Sequence, residues 1–290
     1  MLCRGERFAE RFSSGGHRIE RCLACGLVQL HPLPSPEVIA ALYGDHYYAG
    51  DGGTGYRDYL AHEPGHRATF EADLRRMEGF FPAGRSLRVL DVGCGPGVFV
   101  TAALAAGHDA YGVDLVASAV EHAQRRHPGR VALGGIEAAA DLGGTPFDVV
   151  FASHVIEHLA EPLAFTARCR ELLGPGGLLV CVTPNVRSWL ARLSGRRWVS
   201  FKIPEHLAYY DPDTIRRLLT AAGFETLAVD PAYEHHTVAF LAERVRSLVR
   251  PLDRVVPPVE RAPWLRDRVV RVTSGSLRAI ARARRPASQP

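Results

Sequence analysis

Val89-Leu-Asp-Val-Gly-Cys-Gly-Pro-Gly97 decides the fold. Leu87–Asp91 is a short apolar run that stops at a cluster of glycines, and an apolar helix-forming stretch, Val98–Ala106, follows at once. Glycines at such a point let the backbone turn tightly and come close to a ligand with no Cβ in the way. The helix that opens behind them offers N–H groups without intrahelical partners. Strand, glycine turn and helix in that order form half of a βαβ unit. Turns of this kind serve several nucleotide-like ligands, and some serve none.

Working outward, the same alternation continues. Ala110–Asp114 is a second strand, Val116–Arg126 a helix, Val131–Leu133 a third strand and Asp148–Ala152 a fourth. Pro162–Leu173 is a helix closed by Gly174-Pro-Gly-Gly177, and Leu178–Thr183 is a fifth strand. Asp211 and Pro212 open a helix that ends at Gly223, and Phe224–Val229 is another strand. Strands and helices alternating at these lengths give an α/β domain with a parallel, doubly wound sheet. The continuously apolar strands fit a sheet covered on both faces. The domain is placed at residues 86–240. Before it come a strand-and-loop appendage (1–35) and a helical lid or linker (36–85), with Ser35 capping a helix at Pro36 and a Gly-, Tyr- and His-rich lid from Asp45 to Gly65. Trp189–Tyr210 reads as an irregular insertion. Residues 241–290 read as a basic tail of two amphipathic helices, Leu241–Leu252 and Trp264–Arg285, separated by the break Val255-Val-Pro-Pro-Val259.

Apolar residues make up 47% of the 290, enough for a real core, which excludes a disordered chain. No apolar run reaches the roughly 18–20 residues of a membrane span, and Met1-Leu-Cys-Arg-Gly-Glu6 lacks the apolar core of a signal peptide. The expected location is therefore the cytoplasm. The net charge of +4 hides an asymmetry: the last 50 residues carry 12 Arg against 4 acids. Such a tail could pack on the domain, pair in a homodimer, or lie against an anionic membrane. It carries a single aromatic, Trp264, for stacking on bases, so no specific nucleic-acid partner is expected.

Asp114 lies 21 residues after Gly93, at the end of the second strand. An acid there can accept hydrogen bonds from ribose hydroxyls, and it can also cap the following helix. The dinucleotide pattern needs a glycine at position 98, which is Val98. There is no Walker A pattern, and the only lysine is Lys202. These departures favour a phosphate-free cofactor.

Four blocks occur in order: Val89–Gly97, Tyr111-Gly-Val-Asp114, Phe147-Asp-Val-Val-Phe-Ala-Ser-His-Val-Ile-Glu-His-Leu159 and Leu172-Leu-Gly-Pro-Gly-Gly-Leu-Leu-Val180. Together they resemble class I S-adenosylmethionine (SAM)-dependent methyltransferases, close to the ubiquinone-type O-methyltransferase branch. The resemblance covers about Leu87 to Val229. It implies a Rossmann-like, doubly wound seven-stranded sheet whose last strand is antiparallel, here with a small N-terminal Cys appendage and a C-terminal helical extension. It also implies that Asp91, Gly93, Cys94, Gly95 and Gly97 face the methionine part of SAM. Asp114 would hold the ribose, Leu115 would lie against the adenine, and Ser153 and His154 would border the sulfonium. Many relatives carry a Gly-Asp pair after the third strand, whose acid contacts the adenine amine; here Gly134-Gly-Ile-Glu137 stands in its place.

SAM arrives with its methyl activated, so the enzyme must align a nucleophile and, for a hydroxyl, remove a proton. Histidine suits that task near neutral pH. The candidates are His206 first, in Pro204-Glu-His-Leu-Ala-Tyr-Tyr210, then His154 and His158 around Glu157. His154-Val-Ile-Glu-His158 could instead form part of a divalent-ion site. The acceptor is expected to be a small molecule: a phenol or quinone precursor, a sugar, or a lipid-linked glycan. An RNA or protein methyltransferase would want a motif such as Asn-Pro-Pro-Tyr where Ser153-His-Val-Ile156 stands, and a non-catalytic SAM-binding scaffold is disfavoured by the intact glycine loop and Asp114.

Cys22-Leu-Ala-Cys25 is half of a zinc knuckle, and Cys3 supplies a third thiol. A structural zinc needs four ligands. A full second pair would put its first Cys one residue before Met1, so the expectation is an upstream start, a degenerate site, or His17 as substitute ligand. Zinc is therefore a second, weaker cofactor expectation beside SAM.

Overall fold

The computed structural model describes residues 2–3, 5–42, 44, 46–49, 59–144, 146–248 and 263–284. The chain opens with three antiparallel strands: β1 (Phe8–Ser14), β2 (His17–Cys22) and β3 (Val28–His31). Two short helices, α1 (Pro36–Leu42) and α2 (His46–Ala49), lead to a long one, α3 (Glu63–Glu78). Of the expected lid, residues 45 and 50–58 lie outside the described residues.

The main domain then follows as β4 (Arg88–Val92), α4 (Val98–Ala105), β5 (Asp109–Asp114), α5 (Ala117–Arg126), β6 (Val131–Leu133), β7 (Phe147–Ser153), α6 (Pro162–Leu172) and β8 (Leu173–Pro184). Beyond β8 come α7 (Trp189–Ser194), β9 (Ala208–Tyr209), α8 (Pro212–Ala221), β10 (Phe224–Pro231), β11 (Glu234–Thr237), α9 (Val238–Leu248), α10 (Pro263–Arg266), β12 (Val269–Val272) and β13 (Ser276–Ala283). The central sheet has seven strands in the order β10-β13-β8-β7-β4-β5-β6. The β6-β5-β4-β7-β8 portion is parallel, and β13 runs antiparallel between β8 and β10. The expected seven-stranded Rossmann-like sheet is present. One apolar cluster packs on each face, around Leu90, Val150 and Leu179 on one side and Val89, Phe99 and Phe151 on the other. Neighbouring residues of β4 thus face opposite layers, as a strand's twofold period requires.

One sequence expectation fails. The helix at Trp264–Arg285 is absent from the described part: helix stops at Arg266, and Val269–Val272 and Ser276–Ala283 are strands. The sheet is therefore not complete within residues 86–240; its seventh strand comes from the tail. Ala, Leu and Arg in Ser276–Ala283 are good helix formers, but pairing on both edges overrides that preference. Leu277, Ala279 and Ala281 enter one core layer and Ile280 the other, while Arg278 is buried against Asp73 of α3. Of the other tail helix, residues 238–248 are helical; 249–252 and the proline break lie outside the described residues.

The N-terminal sheet is joined to the insertion after β8, not to the central sheet. β3 pairs antiparallel with β9 (Val28 opposite Tyr209), and Phe12, Ile19, Leu30, Val186, Trp198 and Leu207 form a core between them. Asp211 caps α8 as expected, accepting from the Asp213 and Thr214 backbone N–H groups in a capping box worth about 1 kcal/mol. Among the described residues no helix is long and apolar enough to cross a membrane.

Candidate active site

The glycine loop sits between β4 and α4 at the carboxyl end of the sheet. Gly93, Gly95 and Gly97 all have positive φ (76°, 51° and 82°), where L side chains are strained. The Gly93 and Cys94 N–H groups both donate to the Val113 carbonyl at 2.8 and 3.1 Å. A Cβ on Gly93 would stand 2.7 Å from the Val155 side chain, so this turn needs glycine for two reasons. That same crowding shows that the loop touches the segment after β7. Cys94 is buried, and burial pushes its thiol well above the ordinary range, so it serves packing and not nucleophilic chemistry.

Two carboxylates flank the loop. Asp114 Oδ2 accepts from the Gly95 N–H at 2.7 Å and from the Tyr48 hydroxyl at 3.1 Å, and Oδ1 accepts from the Val116 N–H at 2.9 Å. It therefore caps the approach to α5 while facing the loop. Asp91 is 4% exposed, and no hydrogen-bond donor meets its carboxylate among the described residues. Burial raises the pKa of both acids, and the nearby Asp114 charge raises Asp91 further. A buried, unpaired carboxylate is costly; a cationic ligand relieves that cost. Leu115 is exposed at the end of β5, and Ser153 is half-buried at the end of β7.

The histidines gather beyond β7. His154 has φ +55°, the one described non-glycine residue in the left-handed region, which marks a backbone held by its surroundings. Its Nδ1 donates to Glu157 Oε1 at 3.1 Å, and Thr183 Oγ1 donates to the other Glu157 oxygen at 2.8 Å. His154 Nε2 lies 3.8 Å from Glu234 Oε1 on β11, whose second oxygen meets His236 Nε2 at 3.0 Å. Burial works against a charged His154, but the Glu157 hydrogen bond and the Glu157 and Glu234 charges outweigh it and raise its pKa. Burial alone would raise Glu157; the hydrogen bond and charge of His154 bring it down to about 2.

His158 and His206 lie deeper. Their rings meet edge-on at 4.6 Å, and His158 Nδ1 donates to the Glu205 carbonyl at 3.0 Å. His206 is 4% exposed, and its Nδ1 has no hydrogen-bond partner among the described residues. Burial lowers the pKa of both, and His158 adds to the fall at His206, so His206 stays neutral. Glu157, His158 and His206 bring potential ligand atoms within 4.8 Å of one another; His154 is not in that set. Both Glu157 oxygens are already engaged from outside that set, by His154 and Thr183.

The model of the methyltransferase domain matches residues 59–229, more than half of the chain. The chain belongs to the methyltransferase domain family. It is similar to a ubiquinone biosynthesis O-methyltransferase of Cereibacter sphaeroides, 35% identical over 170 residues, which cover 54% of this chain and 66% of that relative. A protein of the same name from Roseobacter denitrificans is 34% identical over 54% of this chain and 65% of its own length. The match thus spans a little under two thirds of these curated relatives. Among solved structures, a SAM-dependent methyltransferase from Archaeoglobus fulgidus superposes with a TM-score of 0.52 at 21% identity, covering 78% of this chain and all of that one. That likeness concerns the fold.

Two sets of residues that the structure brings to the candidate site were not singled out in the sequence. Tyr48 reaches Asp114, and its neighbour Tyr47 donates to Glu205 at 3.1 Å, so one short helix touches both halves of the site. Glu234 and His236 arrive on β11, beyond the last motif; the polar run Glu234-His-His-Thr237 directly after an apolar strand was the available signal.

The thiols of Cys3, Cys22 and Cys25 lie within 4.8 Å of one another, with Cys3 and Cys22 at 3.6 Å, and the Gly5 N–H donates to the Cys3 sulfur. His17 is not the fourth ligand. It starts β2 while Cys22 ends it, and its Nδ1 is bonded to the Pro32 carbonyl at 2.9 Å.

Proposed function

We propose that this methyltransferase domain binds SAM and transfers its methyl to a hydroxyl of a small-molecule acceptor, with His154 as general base. The observation that carries this reading is the contact between two unlike halves. Paired carboxylates border the glycine loop, and a carboxylate-held imidazole stands on the segment that the loop touches. When bound, SAM supplies an electrophilic methyl on a sulfonium. The chain fits it: Asp91 offers its unpaired carboxylate to the ammonium of the methionine part, and Asp114 turns toward the ribose once Tyr48 shares or yields Oδ2. Gly93, Cys94, Gly95 and Gly97 keep the wall low, and on this reading Leu115 meets the adenine and Ser153 borders the sulfonium. The chain's own work is alignment and proton removal. Glu157 fixes the Nδ1–H tautomer of His154 and leaves the Nε2 lone pair to take the acceptor proton. The imidazolium so formed is bracketed by Glu157 and Glu234.

On this reading the base is His154, and His206 and His158 support it from beneath. The names of the similar O-methyltransferases support a phenol- or quinone-type hydroxyl over a sugar or glycan. The test compares His154→Ala with His206→Ala, with methyl transfer to a phenolic panel and SAM affinity measured for each. The reading expects His154→Ala to keep its affinity for SAM and to lose turnover by about 10²–10⁴-fold. Retained turnover in that variant, with loss in His206→Ala, would return the base to His206. SAM binding without turnover on any acceptor would favour a scaffold.

The appendage supports a separate reading: a zinc ion on Cys3, Cys22 and Cys25. Metal analysis of the purified protein decides it. The reading expects one zinc per chain that is lost in Cys22→Ser; zinc-free protein ends it.

A further inference from the structure

A cleft of about 710 Å³ lies between the N-terminal sheet and the start of α8. That volume falls within the range of small-molecule sites, roughly 300–1,000 Å³. Its lining shares no residue with the glycine loop or the histidine cluster. One wall is made by β1, β2 and the turn that follows β2. The other is made by Val186, Arg187 and the first half of α8.

Local structure turns the first wall inward. Ala9, Glu10 and Arg11 all line the cleft, although successive residues of a regular strand face opposite ways. The register of β1 on β2 slips between Glu10 and Phe12, which makes Arg11 the extra residue of a bulge. A bulge re-aims side chains in this way. On β2, Arg21 lies opposite Ala9, and its head points toward α8: a Cβ on Gly26 would stand 3.5 Å from an Arg21 nitrogen and 3.8 Å from the Thr214 methyl.

The charges of the cleft do not balance. Its three acids are each engaged: Glu10 accepts from the Ser13 hydroxyl at 2.6 Å, Asp211 caps α8, and Asp213 meets Arg187 at 2.7 Å. Asp213 and Arg217 stand at the i, i+4 spacing that favours a pair, yet Asp213 is turned to Arg187 on the neighbouring segment. Arg11, Arg21 and Arg217 have no ion-pair partner among the described residues. The excess is therefore three guanidinium groups around one cavity. The N-terminus of α8 is not the attraction, because Asp211 already takes its first N–H groups. Guanidinium forks match the oxygens of a phosphate, and a phosphate monoester presents three of them. Val28 and Val186 add an apolar floor, and Leu23, 55% exposed, an apolar lip.

We propose that this cleft is a second binding site, for an organic phosphate. Its phosphoryl oxygens meet Arg11, Arg21 and Arg217, and its body lies on Val28, Val186 and Leu23. The site communicates with the histidine cluster through the chain itself. Val186 follows the strand that carries Thr183, and its N–H donates to the Tyr210 carbonyl at 2.9 Å, four residues beyond His206. Neither the zinc reading nor the identity of the methyl acceptor enters the proposal.

The experiment is calorimetry of the full chain with uridine monophosphate, uridine and inorganic phosphate, each with and without saturating S-adenosylhomocysteine. The expected result is one uridine monophosphate per chain, at the same affinity in both conditions, with inorganic phosphate and uridine each weaker by about tenfold or more. Arg21→Ala and Arg217→Ala should each weaken uridine monophosphate by roughly 10–100-fold, the loss of hydrogen bonds to a charged group. Both side chains are exposed, so circular dichroism should be unchanged. Arg67→Ala, at an exposed arginine of α3 outside the cleft, should bind like the unaltered chain. Any of four results overturns the proposal: no saturable binding of uridine monophosphate, its displacement by S-adenosylhomocysteine, inorganic phosphate binding as tightly, or the two cleft variants binding no worse than Arg67→Ala.

Discussion

The two halves of the site are built in opposite ways. The proposed cofactor half comes from two adjacent parallel strands and the turns that leave them: Asp91, the glycines of 93–97, and Asp114. Its groups are carboxylates and backbone, and its key residues fall within 24 consecutive positions. The proposed acceptor half draws on four separated segments: His154 to His158, Thr183, Lys202 to His206, and Glu234 to His236. Its groups are imidazoles and acids that settle one another's charge. A half made locally can be read from a motif; a half assembled by topology cannot.

The comparison breaks if damage to one half spreads to the other. Among changes beyond the base itself, the largest effect should come from Asp114→Ala. It removes the acceptor of two backbone N–H groups beside the loop and the proposed ribose contact. Losing hydrogen bonds to a charged group at about 1.5–3 kcal/mol predicts a fall in SAM affinity of roughly 10–100-fold by calorimetry. Turnover at saturating SAM should survive, and loss of turnover at full occupancy would join the two halves.

Acid should separate the halves further. Burial holds the pKa of Asp91 and Asp114 above the ordinary carboxylate value, so each loses its charge at higher pH than a free acid. SAM affinity should then weaken as pH falls, before ordinary aspartates titrate, and Asp91→Asn should flatten that dependence. On the acceptor side His154 must be neutral to act. Its pKa is raised, so turnover should fall as pH drops through a value above that of ordinary histidine. Glu157→Gln removes the hydrogen-bonded charge that raises it. The acid limb of the pH–rate profile should move to lower pH, with a lower plateau because the ring loses its orienting partner. An unmoved limb would remove Glu157 from the dyad. The smallest expected effect is that of a chelator. If the cluster works as a base and its supports, dialysis against EDTA leaves turnover unchanged. A loss restored by a divalent ion would make Glu157, His158 and His206 a metal centre.

Legibility in the sequence followed the same line. β4, its glycine turn, β5 and Asp114 were readable because each residue type is dictated by a local need: positive φ, close approach, an acid at a strand end. The Asp211 cap was readable for the same reason. β13 was not, because Ala, Leu and Arg suit either period, and only the two strands beside it decide between them. The preference for His206 rested on a motif; its burial beneath His158, and the strained backbone and Glu157 partner of His154, are three-dimensional facts. Glu234 reaches His154 only because a ribbon from beyond the last strand motif folds back over α3, where a Cβ on Gly65 would stand 2.5 Å from the His235 carbonyl.

The most direct measurement follows transfer of a labelled methyl from SAM to a phenolic acceptor, with SAM occupancy determined in the same samples, for the unaltered chain, Asp114→Ala and His154→Ala. The account predicts saturable SAM binding and transfer in the unaltered chain, lost occupancy but recoverable transfer in Asp114→Ala, and full occupancy without transfer in His154→Ala. An unaltered chain that does not bind SAM, or a His154→Ala protein that transfers the methyl at the unaltered rate, would contradict it.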